Sequence, residues 1–188
     1  PPAGALTVLS RHGDNGDTYL GDVHLMSSLT LGETCLVVAA SQTESGLSTF
    51  RLDRGGQMTH LDSLGAAQGL GIYQPSALLI TEVDGRHMVL LGAAGSSTLT
   101  VFQIGADGHL QVLDHVIDSL DTRFGGVSVL ESATVNGKTY VLAGGTDAGL
   151  TLFCLLPTGQ LLELDTLADS RGAGFGNINA LALQALGT

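Results

Sequence analysis

Apolar residues along this chain gather in short runs separated by glycine-bearing turns, a pattern of strands rather than helices. In one stretch it predicts four strands in succession: Ser76 to Val83, His87 to Gly92, Leu99 to Ile104 and Leu110 to Val116. The first two read apolar on both faces, which half-exposed sheets avoid. A sheet built from them is therefore expected to be covered on both sides.

The same pattern recurs. Gly46-Leu47-Ser48-Thr49-Phe50, Thr98-Leu99-Thr100-Val101-Phe102 and Gly149-Leu150-Thr151-Leu152-Phe153 align without a gap, their phenylalanines 52 and 51 residues apart. Six residues after each phenylalanine stands a glycine, Gly56, Gly108 and Gly159, and each predicts a hairpin turn. The register holds through Leu61-Asp62, Leu113-Asp114 and Leu164-Asp165, and fifteen residues after those leucines come Ser76, Ser128 and Asn179. A second set of turns falls at Leu31-Gly32-Glu33, Asp84-Gly85-Arg86 and Asn136-Gly137-Lys138. Phe50, Phe102 and Phe153 are thus expected at equivalent buried sites.

A four-strand unit of this period predicts an all-β chain folded as a β-propeller, whose sheets pack face to face around an axis. A sandwich is the alternative, but sandwiches seldom repeat their turns in register. About three and a half four-stranded blades are expected. Residues 1–22 supply strands three (Leu6 to Ser10) and four (Thr18 to Leu20) of a partial blade. Residues 23–62, 76–116 and 128–167 form whole blades, and 179–188 hold the first strand of the next, Asn179 to Leu186. A terminal blade joined from the two ends would lack its second strand and leave open edges. The expected partners are accordingly the remaining blades of a parent chain, or further copies of this one closing a ring.

The segment Thr98-Leu99-Thr100-Val101-Phe102-Gln103-Ile104-Gly105-Ala106-Asp107-Gly108-His109-Leu110 resembles the strand, Asp-Gly turn and strand of seven-bladed phosphogluconolactonase-like propellers. It also resembles the blades of large secreted bacterial calcium-binding proteins of the haemolysin type. The resemblance covers all three units and implies fold, with no catalytic residue to carry over. It implies one function, a lactonase-like hydrolase of small sugar-acid lactones; the acidic charge, the absence of catalytic signatures and the regular repeat favour the other, a non-enzymatic binding or structural module of a secreted or cell-surface bacterial protein. An extracellular or cell-surface location is the corresponding expectation.

Charge narrows the partners. Eighteen acidic against seven basic residues give a net charge of -11, which repels nucleic-acid phosphates and anionic membrane surfaces. No apolar run approaches the length of a membrane helix. Cys35 and Cys154 fall at unlike positions of units two apart, and both read as small buried hydrophobes without a disulfide.

Signatures of nucleophile elbows, zinc proteases, paired C-x-x-C sites, P-loops and dinucleotide folds are absent. The six histidines fall on unrelated strands and turns, so each reads as structural. No cofactor is expected, with calcium as the one ion the sequence leaves room for. His12-Gly13-Asp14-Asn15-Gly16-Asp17 places oxygen ligands from Asp14, Asn15 and Asp17 close together. The same residues also suit a longer turn whose Asp and Asn accept backbone hydrogen bonds, which is the preferred reading. Function in propellers concentrates on the loops from strand two to three and from strand four to the next strand one. Among these loops Glu44, Gln74, Arg123, Asp147, Arg171 and Asn177 are the candidate ligand-binding residues. An arginine such as Arg123 or Arg171 could hold a carboxylate or phosphate, or pair with a loop aspartate such as Asp121 or Asp169.

Overall fold

In a computed structural model, which describes residues 6–169 and 174–185, twelve strands form three antiparallel four-stranded sheets. The first contains β1 (Val23–Leu31), β2 (Thr34–Ser41), β3 (Gly46–Leu52) and β4 (Met58–Gly65). The second contains β5 (Pro75–Val83), β6 (Arg86–Ala93), β7 (Thr98–Ile104) and β8 (Leu110–Ile117). The third contains β9 (Val129–Val135), β10 (Lys138–Gly144), β11 (Gly149–Leu155) and β12 (Leu161–Ala168). Strand order in each sheet follows the chain, and β1 packs beside β5, and β5 beside β9. First strands are therefore innermost, and the chain is a β-propeller segment of three complete blades.

Both sets of turns follow from their sequences. Between strands three and four, the Gly56, Gly108 and Gly159 N–H groups donate to Asp53, Gly105 and Leu156 carbonyls at 3.0, 2.9 and 2.8 Å. The three glycines hold φ of +80°, +84° and +89°, a region that glycine enters without penalty. Between strands one and two, Asp84-Gly85 and Asn136-Gly137 have positive φ at both residues, the signature of the type I′ hairpin.

Phe50, Phe102 and Phe153 occupy the same place in β3, β7 and β11, with exposures of 0, 0 and 1%. Each is covered by an apolar residue of the loop that leads into its blade. Leu20 packs in the cluster of Phe50, Ile72 in that of Phe102, and Phe124 lies edge-on to Phe153 at 5.8 Å. In β6 the last six residues are all buried, as expected for a sheet sandwiched between two others. In β11 burial alternates instead: Thr151, Phe153 and Leu155 face blade two, while Leu150, Leu152 and Cys154 are half-exposed on the far side. The cysteines are free but only half-buried, which corrects the expectation of burial. Cys154 follows Phe153 on the strand and so points to the uncovered face, and Cys35 lies at the hairpin end of β2.

The repeated Leu-Asp pairs are the joints between blades. In every sheet the register of strands three and four slips at one place, leaving Leu61, Leu113 and Leu164 as the extra, bulged residue. A bulge re-aims its side chain. Leu61 presses onto Gly108 and Leu113 onto Gly159, in each case where a Cβ would stand. The adjoining aspartates complete the joint: Asp62 Oδ2 accepts the Leu110 N–H at 2.8 Å, and Asp114 Oδ2 the Leu161 N–H at 2.7 Å. Strand four of one blade thus grips the outer hairpin of the next.

This joint corrects the reading of the chain ends. Leu6 to Ser10 and Thr18 to Leu20 form no strand, nor do the described residues of Asn179 to Leu186; Leu186 itself lies outside them. A ladder strand needs a hydrogen-bonded neighbouring strand, and among the described residues none pairs with these segments. Leu9 nevertheless meets Gly56 as Leu61 meets Gly108, and the Met58 N–H donates to Ser10 Oγ at 3.5 Å. Residues 6–10 therefore stand at a strand-four position, not strand three, and Thr18 to Leu20 belong to the following loop. At the other end Ser128 Oγ donates to the Ile178 carbonyl as Ser76 Oγ does to that of Val127, so the chain reaches the first-strand position.

Candidate functional site

The loops from strand two to three and from strand four to the next strand one emerge at one end of every sheet, here called the upper face. An aspartate organises three of the longer loops. Asp118 Oδ1 accepts Thr122 Oγ1–H at 2.7 Å and the Phe124 N–H at 3.1 Å. Asp14 Oδ1 takes the corresponding bonds from Thr18 and Leu20 at 3.4 and 3.2 Å, and Asp169 Oδ2 accepts the Phe175 N–H at 3.1 Å. In the remaining loop a single 3-10 turn, Ala66–Gln68, does this work, and Gln68 Oε1 accepts the Gly65 N–H at 2.9 Å.

The metal candidates Asp14, Asn15 and Asp17 lie in one of these loops. Asp14 holds Thr18 and Leu20, and Asn15 Oδ1 accepts the Asp17 N–H at 2.8 Å in an Asx turn. Among the described residues no group of three or more His, Cys, Asp or Glu side chains stands close enough to hold an ion.

The six ligand-binding candidates are distributed over separate seams. Glu44 Oε2 accepts the Gly21 N–H at 2.6 Å, ahead of blade one. Gln74 lies between blades one and two with φ of +55°, its N–H donating to Ser45 Oγ at 3.4 Å and its carbonyl accepting the Ala94 N–H at 3.0 Å. Arg123 and Asp147 meet between blades two and three, with Nη1 and Oδ2 3.8 Å apart. The same Nη1 donates to the Thr122 and Leu120 carbonyls at 2.9 and 3.3 Å. The acid beside Arg123 is thus Asp147 in place of Asp121. Asn177 is exposed, and Arg171 lies outside the described residues.

Arg123 also has a packing role that the repeat explains. Tyr19, Gly71 and Arg123 hold one repeat position and face Gly46, Thr98 and Gly149, the first residues of strand three. A Cβ on Gly149 would come within 2.8 Å of Arg123 Cβ, and one on Gly46 would enter the Tyr19 ring. Where the loop residue is Gly71, Thr98 fills the space and donates its hydroxyl to the Gly71 carbonyl at 3.0 Å. Large faces small in each seam.

One polar cleft of about 430 Å³ opens between Asn15–Tyr19 and Ala67–Gln68, with Glu44, His60 and Ser63 in its lining. Tyr19 O–H donates to Gln68 Oε1 at 2.7 Å across it. His60 Nε2 lies 2.8 Å from Ser63 Oγ, which lies 2.8 Å from Ser48 Oγ. The Ser48–Ser63 bond recurs across strands three and four, as Thr100 to His115 at 2.8 Å and Thr151 to Thr166 at 3.4 Å, whereas His60 approaches Ser63 from within β4 and has Val112 at its place in blade two. The hydroxyls also hold loops: Ser48 accepts the Tyr19 N–H at 2.8 Å and Thr151 the Arg123 N–H at 2.7 Å. Tyr19, His60 and Gln68 were not among the sequence candidates, because pairing a loop with its neighbour's turn requires the blade packing.

No protein-family profile and no curated protein sequence matches the chain. Among solved structures, a protein from Lactobacillus plantarum is similar at 18% identity and a TM-score of 0.53, over 78% of this chain and 41% of that one. A glycoside hydrolase family 32 β-fructofuranosidase from Bombyx mori follows at 10% identity and a TM-score of 0.49, over 76% and 37%. A family 43 protein from a xyloglucan locus of Bacteroides ovatus is similar at 12% identity and a TM-score of 0.44, over 79% and 30%. The chain therefore spans well under half the length of these proteins, and the first of them shares its propeller fold.

Proposed function

We propose that this chain is a non-enzymatic structural and binding module, a propeller segment whose upper face offers the cleft between Asn15–Tyr19 and Ala67–Gln68 to a small polar ligand. One observation carries the reading: Asp14, Glu44, Asp118 and Arg123, polar side chains of the upper face, are engaged in building it. Glu44 ties down Gly21, Asp14 and Asp118 fold their loops, and Arg123 holds two carbonyls. The Ser48–Ser63 bond that His60 joins has a counterpart in each blade, as expected of a bond that holds strands three and four together. The cleft's volume lies within the range of small-molecule sites.

Hydrolysis of a sugar-acid lactone is the reading to test against. Ring opening followed at fixed pH should proceed at the buffer rate at every protein concentration. A rate that scales with protein and falls in Arg123→Ala or His60→Ala would overturn the proposal.

A further inference from the structure

We propose that the upper rim of the seam between blades one and two is a docking notch for a phenylalanine-like side chain carried on a basic segment of a partner protein. Both walls of this seam lie among the described residues, and the proposal holds whether or not the polar cleft beside blade one binds a ligand.

The notch follows from a comparison of two seams built to one plan. Ahead of blade one, the Tyr19 ring lies across the paired strand ends Gly46 and Gly65, its Cζ 2.6 Å from where a Gly65 Cβ would stand. Its hydroxyl reaches Gln68. Counting on 52 residues, the spacing of Phe50 and Phe102, the same four positions hold Gly71, Thr98, Ile117 and Leu120. Thr98 and Ile117 are paired as Gly46 and Gly65 are. No ring covers them, because Gly71 has no side chain, and Ile117 stays 64% exposed and Leu120 92%. Ile117 shares a face of β8 with His115, since side chains alternate along a strand. There is room above that face. A Cβ on Gly71 would meet only the His115 ring, 3.4 Å from Nε2, whereas Cβ atoms on Gly46 and Gly65 would collide with Tyr19.

The chemistry of the place defines its occupant. Tyr19 meets a polar partner in Gln68, and its ring ends in a hydroxyl; Leu120 at that position offers no such partner, so a ring lying on Ile117 should end in carbon. Buried in this way, one aromatic side chain anchors a contact. The segments that frame the notch, residues 66–74, 94–97 and 110–122, hold Asp114, Asp118 and Asp121 and no lysine or arginine. Their charge favours a cationic flank on the partner and disfavours a second copy of this chain, whose net charge is -11.

A labelled Lys-Lys-Phe-Lys-Lys peptide, titrated with the protein and followed by fluorescence anisotropy, tests this. Saturable binding is expected, weakened about tenfold or more by Leu120→Ser, by Gly71→Phe, which fills the notch from within, and by serine in place of the peptide's phenylalanine. Added salt should weaken it as well. Leu120 is exposed enough for its replacement to leave the fold intact, and far-UV circular dichroism checks both variants. Absence of saturable binding up to about 1 mM protein would overturn the proposal. So would equal binding of the serine peptide, or binding that ignores both Leu120→Ser and Gly71→Phe in folded protein.

Discussion

At the residue scale, one aspartate position separates a joint that is made from one that is open. Asp114 accepts an N–H from the next blade, whereas among the described residues Asp165 accepts only that of Thr166, although both sit beside the same bulge. Asp114→Ala should therefore lower stability by about 1.5–3 kcal/mol in urea unfolding, because it strands the Leu161 N–H beneath a blade edge. Asp165→Ala, measured under dilute monomeric conditions, should stay within about 0.5 kcal/mol of the parent chain. Equal effects would mean that the Leu-Asp pair acts within its own sheet. Gly108 offers a second measurement. It combines φ of +84° with a leucine standing where a Cβ would go, so Gly108→Ala should cost more than the ~1 kcal/mol of a strained turn alone. Phe102→Ala, with the side chain wholly buried, should cost about 3–5 kcal/mol.

At the scale of elements, the loops into blades one and three are built alike, around Asp14 and Asp118. Asp14→Ala should lower the melting temperature by a few degrees, and by the same amount with or without millimolar calcium. A calcium-dependent rise in the parent chain, lost in Asp14→Ala, would restore the ion site. Much of this construction was legible in the sequence. Turn glycines, the aligned phenylalanines and the Leu-Asp pairs stand at fixed spacings because each blade repeats the same backbone demands. Leu6 to Ser10 was misread because a strand-three pattern and a strand-four pattern are both short alternating runs, and only the contact of Leu9 with Gly56 tells them apart. The cleft was invisible for a related reason. Tyr19 and Gln68 are 49 residues apart and meet only once blade one is folded.

At the scale of the whole molecule, blades contact only their neighbours, so stability should be graded along the array. Blade two is covered on both faces and blade three on one. Amide exchange should be slowest in β6 and β7 and faster in β11 and β12.

The joint between blades also gives the array a direction in time. Asp62, beside the bulged Leu61, is synthesised 48 residues before Leu110, whose N–H it accepts. The same order holds for Asp114 and Leu161, with 47 residues between them. As the chain leaves the ribosome, each new hairpin emerges opposite a finished acceptor and a leucine already aimed at its glycine. Folding can therefore advance from the amino end one blade at a time, each blade serving as the template for its successor, with no long-range pairing left waiting for a distant strand.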